Sequence, residues 1–456
     1  MPKYVIIGNS AGGIGAVEAI REVDRAGSVA IISDEPVLAY SRPGIAEIVA
    51  GKKTRATITY RGETFYQKLG VETYFGRPVS RIDTAAKTVT LDRDEVVAYD
   101  QLLIATGGTP IRPPMKGSDK AGIYTFTTIA DAEVVDQRVR GTGGHIVVIG
   151  AGLIGAACAD ALTRAGHHPT VVELRDRPLN LLLDETGSEL VRRAMVKAGV
   201  DLVCNATVTE VVGRPDDEGV VGGVVLSTGR RIQCDTLIVA VGVRPRMDLA
   251  TGAGIKTNRG IVVDQRMATS APDVYACGDV AEAYDSIYAG FRVVPIWPGA
   301  YRGGRVAGLN MVGRSAKFDD QTTMNTIKYF GMSLVSAGDI NPAADSGCEI
   351  LSVVDLEHGR YRKFVLRDDA IVGFEIAGAI ERSGVPNWLL KEGINVASFK
   401  RRLLDDNFDV VHVPAELRRA HYAEATANPT QTALAWGTRV SSARTAGANG
   451  GTNGSH

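Results

Sequence analysis

The chain has 456 residues, with 51 Lys and Arg against 52 Asp and Glu, a net charge of −1 and 45% hydrophobic residues. That length allows two to four domains of about 100–200 residues. The balanced charge gives no basic field for nucleic acid or an anionic membrane surface. Five cysteines without a CxxC argue against a disulfide framework, a zinc site and an iron–sulfur ligand set, and point to a reducing compartment. No metal site is expected. Met1–Lys3 runs straight into a strand without a signal-peptide pattern. The longest apolar run, Ile146–Ala159, falls short of the roughly 18–20 residues of a membrane span. A soluble, cytoplasmic protein is expected.

In chain order, Tyr4–Ile7 predicts a buried strand, and GNSAGGIG follows with Gly8, Ser10 and Gly13 at the GxGxxG positions. A helix to about Asp24, a strand Val29–Ile32 and the acids Asp34 and Glu35 complete a βαβ nucleotide unit. Ser10, in place of the middle glycine, is small enough to admit a phosphate and adds a hydroxyl, while Gly12 keeps the loop supple. YSRPG (40–44) comes next, then YDQLLIATGG (99–108), in which a strand Leu102–Ile104 delivers the turn Ala105–Thr106–Gly107. The proline-rich TPIRPP beyond it suits a crossing between domains.

A stronger nucleotide unit begins at His145–Ile149. Gly150, Gly152 and Gly155 complete GxGxxG, with Ile154 inside it, and the strand Val171–Val172 ends on Glu173, 18 residues after Gly155. Gly150 allows the tight turn, Gly152 lets backbone approach a pyrophosphate, and Gly155 lets helix pack on strand. The helix N-terminus offers free N–H groups to phosphates, and Glu173 stands where a carboxylate accepts from an adenosine ribose.

DTLIVAVGVRP (235–245) and TSAPDVYACGDV (269–280) each read as a strand with a glycine turn. Trp297–Pro298 then opens a helix rich in small residues, a pattern that suits a helix aimed end-on at a ligand. Residues 321–420 read as an antiparallel sheet with a turn at Arg367–Asp368–Asp369, followed by helical segments at about 379–393 and 395–405. Residues 421–456, rich in Ala, Thr, Gly, Asn and Ser, read as a disordered tail.

With two nucleotide units and these four motifs, residues 3–420 resemble the pyridine-nucleotide-dependent FAD oxidoreductases with two dinucleotide-binding domains. That superfamily includes disulfide reductases, NADH oxidases, and ferredoxin and rubredoxin reductases. The resemblance implies an α/β fold with two Rossmann-like domains and a C-terminal α+β interface domain. The FAD domain would take residues 1–112 and 245–320, the NAD(P) domain 113–244, and the interface domain 321–420.

It further implies FAD held by Gly8, Ser10, Gly12, Gly13, Asp34 and Glu35, with Arg42 on the pyrophosphate and Ala105, Thr106 and Gly107 packed on the cofactor. Asp279 would accept from a ribityl hydroxyl where Gly278 leaves room, and the helix at Trp297 and Pro298 would face the flavin pyrimidine edge. NAD would lie on Gly150, Gly152, Ile154, Gly155, Glu173 and Gly242. Glu173 favours NADH over NADPH by repelling a 2′-phosphate, with Arg175 as the competing cation.

Two departures matter. Thiol-dependent members carry a redox cysteine near residues 40–44, where this chain has Pro43 and no cysteine before Cys158. Many members also carry an acid where this chain has Ala157, so charge pairing built on it does not carry over. The implied reaction passes a hydride from nicotinamide C4 to flavin N5 without a catalytic protein residue. A ferredoxin- or rubredoxin-like electron carrier is the expected partner, in either direction of electron flow. The alternatives are an NADH oxidase reducing oxygen or peroxide, and a non-catalytic flavoprotein subunit of an electron-transfer complex. Related disulfide reductases dimerise through the C-terminal domain, whereas ferredoxin reductases are often monomers, so a homodimer through that domain is left open.

Overall fold

The computed structural model describes residues 1–427 except 143, 286, 289 and 319–323. Its first sheet is five-stranded and parallel, in the order Val274–Ala276, Gln101–Ile104, Lys3–Ile7, Ser28–Ser33, Val71–Phe75. The second repeats that plan as Ile123–Thr125, Thr236–Val239, Ile146–Ile149, Thr170–Val172, Asp201–Val203. In both, the strand leading into the glycine turn lies at the centre. The acid-ending strand flanks it on one side and the strand ending in ATG or AVG on the other. Val, Ile and Leu fill the inner strands because parallel strands are covered on both faces, and Lys3–Ile7 is buried at every position but its first. The order in which strands are added reverses at each central strand, so a crevice opens at its carboxyl end.

The chain leaves the first sheet through Gly108–Pro110 and returns through Val243–Pro245, and these two segments pair as antiparallel strands. The third sheet is five-stranded and antiparallel, in the order Met324–Tyr329, Met332–Gly338, Ala370–Ala377, Arg360–Arg367, Glu349–Asp355. Asp368 and Asp369, at φ 51° and 57°, form the tight hairpin turn expected there.

The helices after this sheet are shorter than the sequence pattern suggests. Gly384–Lys391 is an α-helix, and Lys400–Leu404 is only a 3₁₀ turn. The first of them begins at Gly384 rather than about 379, and it closes just before Gly393, whose φ of +58° is the left-handed conformation that ends helices. The helix Ala415–Ala427 belongs to a separate compact unit that begins at Pro414. It runs into the segment expected to be a tail, whose remaining residues, 428–456, lie outside the described residues. No helix among the described residues is long and apolar enough to cross a membrane.

Candidate functional site

Each glycine turn starts on a left-handed glycine, Gly8 at φ +120° and Gly150 at φ +99°. A Cβ on Gly8 would lie 2.2 Å from Ala105 O, so the first fingerprint lies directly against the Ala105–Gly107 turn. Gly13 and Gly155 are packing positions. A Cβ on either would stand 1.9 Å from the carbonyl oxygen of Gly8 or Gly150, so glycine is what lets each helix close on its strand.

The other expected site residues surround one continuous cavity of about 1730 Å³. A single small-molecule site takes roughly 300–1,000 Å³, so this space suits two ligands. Gly8, Ser10, Gly12, Asp34, Glu35, Arg42, Ala105, Thr106, Gly107, Gly278, Asp279, Trp297 and Pro298 line it from the first unit. Gly150, Gly152, Ile154, Glu173 and Gly242 line it from the second.

The small residues after Pro298 have a second use. A Cβ on Gly304 would lie 1.9 Å from Gly12 O, and one on Gly308 would lie 2.7 Å from Ala16 O. The helix Trp297–Met311 therefore packs almost backbone to backbone on Ala11–Val23, which brings both N-termini to the cavity.

Three polar groups in the first half bear on what the cavity can hold. Ser10 caps its helix without a side-chain hydrogen bond. The buried Trp297 Nε1 lacks an acceptor among the described residues. Burial raises the Asp279 carboxyl, against the pull of Arg42. A free hydroxyl at a helix N-terminus, a carboxylate and an indole N–H fit a phosphate, a polyol and a heterocycle edge respectively.

The acids after Ser28–Ser33 are more committed than their positions suggest. Glu35 Oε1 accepts from Arg42 and Oε2 from Tyr40 Oη at 2.6 Å. Arg42 Nη1 also donates to Thr127 O at 3.0 Å, so Glu35 holds the guanidinium at the junction of the two nucleotide units. Asp34, at 48% side-chain exposure against 21% for Glu35, is the more available acceptor, although Arg246 Nη1 reaches its Oδ2 at 2.5 Å. Sequence reasoning missed Arg246. It sits just past the return crossing and is stitched to the Ala105–Gly107 turn. Its N donates to Gly107 O at 2.9 Å, and its O accepts from Thr106 Oγ1 at 2.9 Å.

In the second half, Glu173 is 8% exposed and accepts from two backbone groups, Ala151 N at 2.6 Å and Arg175 N at 2.8 Å. The Arg175 side chain lines the cavity beside it. Ala157 also faces the cavity, and charge pairing occurs further along the helix. Arg164 donates to both oxygens of Glu47 at 3.0 and 2.7 Å and to Asp160 Oδ2 at 2.9 Å, while Asp160 Oδ1 accepts from Phe330 N at 2.6 Å. This cluster ties both nucleotide units to the third sheet.

All five cysteines are free, and no metal-binding group of His, Cys, Asp and Glu occurs among the described residues. Cys277 is buried beside Gly12, and burial pushes its thiol up to about 12.

Residues 2–304 match the pyridine nucleotide-disulphide oxidoreductase family, and residues 324–387 match the rubredoxin NAD+ reductase C-terminal domain. The chain belongs to the pyridine nucleotide-disulphide oxidoreductase family. Members bind FAD and NAD(H), the pair of dinucleotides the two fingerprints imply. Nitrite reductase [NAD(P)H] of Bacillus subtilis is 31% identical over 378 residues, covering 82% of this chain and 45% of that protein. The chain thus spans about half the length of the first two curated relatives it matches. Rubredoxin-NAD(+) reductase of Pseudomonas putida is 31% identical over 280 residues, 61% of this chain and 72% of that one. The reductase in the covalent putidaredoxin reductase–putidaredoxin complex shares the fold with a TM-score of 0.78 at 23% identity, over 86% of this chain and 93% of that chain.

Proposed function

We propose that the protein is an FAD-dependent NAD(P)H oxidoreductase that passes electrons from NADH to a ferredoxin- or rubredoxin-like carrier. The observation that carries this reading is the single cavity lined by both glycine turns, with no cysteine pair beside it. FAD would lie along Gly8–Gly12, Asp34, Arg42, Ala105–Gly107, Gly278, Asp279 and Trp297. NAD would lie along Gly150–Ile154, Glu173 and Gly242. Bound flavin supplies hydride acceptance and stepwise electron release. The chain supplies alignment. Helix N-termini face the diphosphates, Asp279 and Glu173 offer acceptors to the sugars, and the glycine turns bring backbone close. With no disulfide to relay electrons, the acceptor must reach the flavin directly.

The relatives named as rubredoxin reductases support a carrier protein as acceptor. The five free cysteines support a cytoplasmic setting.

Anaerobic mixing with NADH should bleach the flavin, and steady-state turnover should rise on adding rubredoxin or ferredoxin. Equal turnover with oxygen alone reassigns the protein as an NADH oxidase. A flavin that never bleaches makes it a non-catalytic electron-transfer subunit.

A further inference from the structure

Behind the NAD side of the cavity lies a buried polar cluster that plays no part in this reading. The segment 178–184 links the strand ending at Glu173 to the helix Glu185–Lys197, and its Leu179, Asn180, Leu181 and Leu182 line the cavity. It is strung between two fixed points. Leu179 N donates to Ala151 O of the fingerprint at 2.9 Å, and Asp184 N donates to Glu375 Oε2 of the third sheet at 3.0 Å. Between these anchors Leu179 holds φ +54°, uncommon for a residue other than glycine, and Leu181 is 92% exposed.

Glu375 is fully buried, and its Oε1 has no partner among the described residues. A Cβ on residue 187 would stand 1.5 Å from that oxygen, so Gly187 is what admits the carboxyl. The ionisable groups facing it are Asp184 before the helix, and Tyr361 and Lys363 on the neighbouring strand. Lys363 Nζ and Tyr361 Oη both donate to Asp184 Oδ2, at 2.9 and 2.6 Å, and Gly187 N donates to Oδ1 at 2.9 Å. The lysine charge is thus committed to Asp184. Burial and the Asp184 charge push the Glu375 carboxyl up to about 8.

We propose that the neutral Glu375 carboxyl is a positioning group for the dinucleotide, holding the strap 178–184 against the fingerprint, and that its ionisation loosens the strap and weakens NAD(H) binding. The inference rests on reading this half of the cavity as the NAD site. The step is a single proton loss from the Glu375 carboxyl to solvent, with no electron moved. An ionised Glu375 would place a second negative charge beside Asp184, which already takes the facing Lys363, and the strap is the segment able to yield.

The test is calorimetric binding of NAD+ to the FAD-loaded protein from pH 6.5 to 9.5, where no turnover occurs. The dissociation constant should stay flat to about pH 7.5 and then weaken roughly tenfold by pH 9.5, with a slope below tenfold per unit, the limit for one proton. Glu375→Gln keeps the acceptor for Asp184 N but cannot ionise, and should flatten the profile. Cys204→Ser, which removes a thiol near Glu173, should leave the wild-type profile intact. Hydrogen exchange of 178–184 without nucleotide should be faster in wild type than in Glu375→Gln at pH 9, and equal at pH 6.5. A flat wild-type profile, or the same rise in Glu375→Gln, overturns the proposal. Absence of NAD+ binding at every pH defeats the NAD reading itself and removes the proposal with it.

Discussion

Ala151 N donates a 2.6 Å hydrogen bond to Glu173 Oε2, so the acid that ends one strand also holds the glycine turn that ends its neighbour. Glu173→Ala removes the proposed ribose acceptor and two backbone contacts together. At about 1–3 kcal/mol for buried groups left unpaired, KM for NADH should rise roughly 10–100-fold. With NADPH the same loss is offset by the end of repulsion between the carboxylate and the 2′-phosphate, so its rate changes little. Steady-state kinetics with both nucleotides check this, and an unchanged KM for NADH would mean the ribose lies elsewhere.

The two packing glycines separate the two halves. In Gly155→Ala the new methyl meets Gly150 O at 1.9 Å, and in Gly13→Ala it meets Gly8 O at the same distance. Accommodating such overlap costs about 1–3 kcal/mol or more. Gly155→Ala should purify yellow yet bleach slowly with NADH, whereas Gly13→Ala should lose FAD. Visible spectra followed by anaerobic mixing with NADH distinguish the two outcomes.

Arg164 links Glu47 to Asp160, whose side chains are 32% and 7% exposed. The half-exposed pair with Glu47 is worth at most about 1 kcal/mol. Removing the arginine also strips the buried Asp160 of its cation, for a total loss of about 1–3 kcal/mol in Arg164→Ala by denaturant unfolding. Arg164 holds the Glu47 carboxyl below the usual glutamate range, so this pair stabilises the fold above the unfolded pKa of about 4.3 and is lost as pH falls through the lower, folded value. The difference between wild type and Arg164→Ala should therefore shrink below about pH 4.

Electron flow should not depend on a thiol. Cys158, Cys234 and Cys277 are buried, and burial raises all three thiols, Cys234 and Cys277 to about 12. Iodoacetamide at neutral pH should modify Cys204 and Cys348 alone and leave turnover with the carrier unchanged. Activity lost in step with alkylation, read by mass spectrometry, would contradict a flavin-only route.

The strands and glycine turns were legible because local chemistry decides them. Runs of Val and Ile flanked by glycine have few alternatives to a buried parallel strand and a tight turn. The side-chain partnerships were not legible. Glu35 and Arg42 read as two separate cofactor ligands, yet they bond each other. Asp34 meets Arg246 across 212 residues, a distance that no local pattern spans. In Arg360–Arg367, Arg362 and Lys363 are buried at 4% and 7% exposure. Charged residues in a strand read as its solvent face until Asp184, at the N-cap of the helix Glu185–Lys197, receives the lysine. The helical segment after 379 read as too long mainly at its start, where 379–383 run through a turn before the helix begins at Gly384.

The side-by-side crossings Gly108–Pro110 and Val243–Pro245 have a consequence for exchange. Paired strands run about 4.8 Å apart, so everything between residues 110 and 243 departs from its host and rejoins it at one spot. Such a cassette can be lifted out without opening any strand of the host sheet. A replacement with another coenzyme preference needs matching ends and the same side contacts with its host, above all Arg164 to Glu47 and Phe330 N to Asp160.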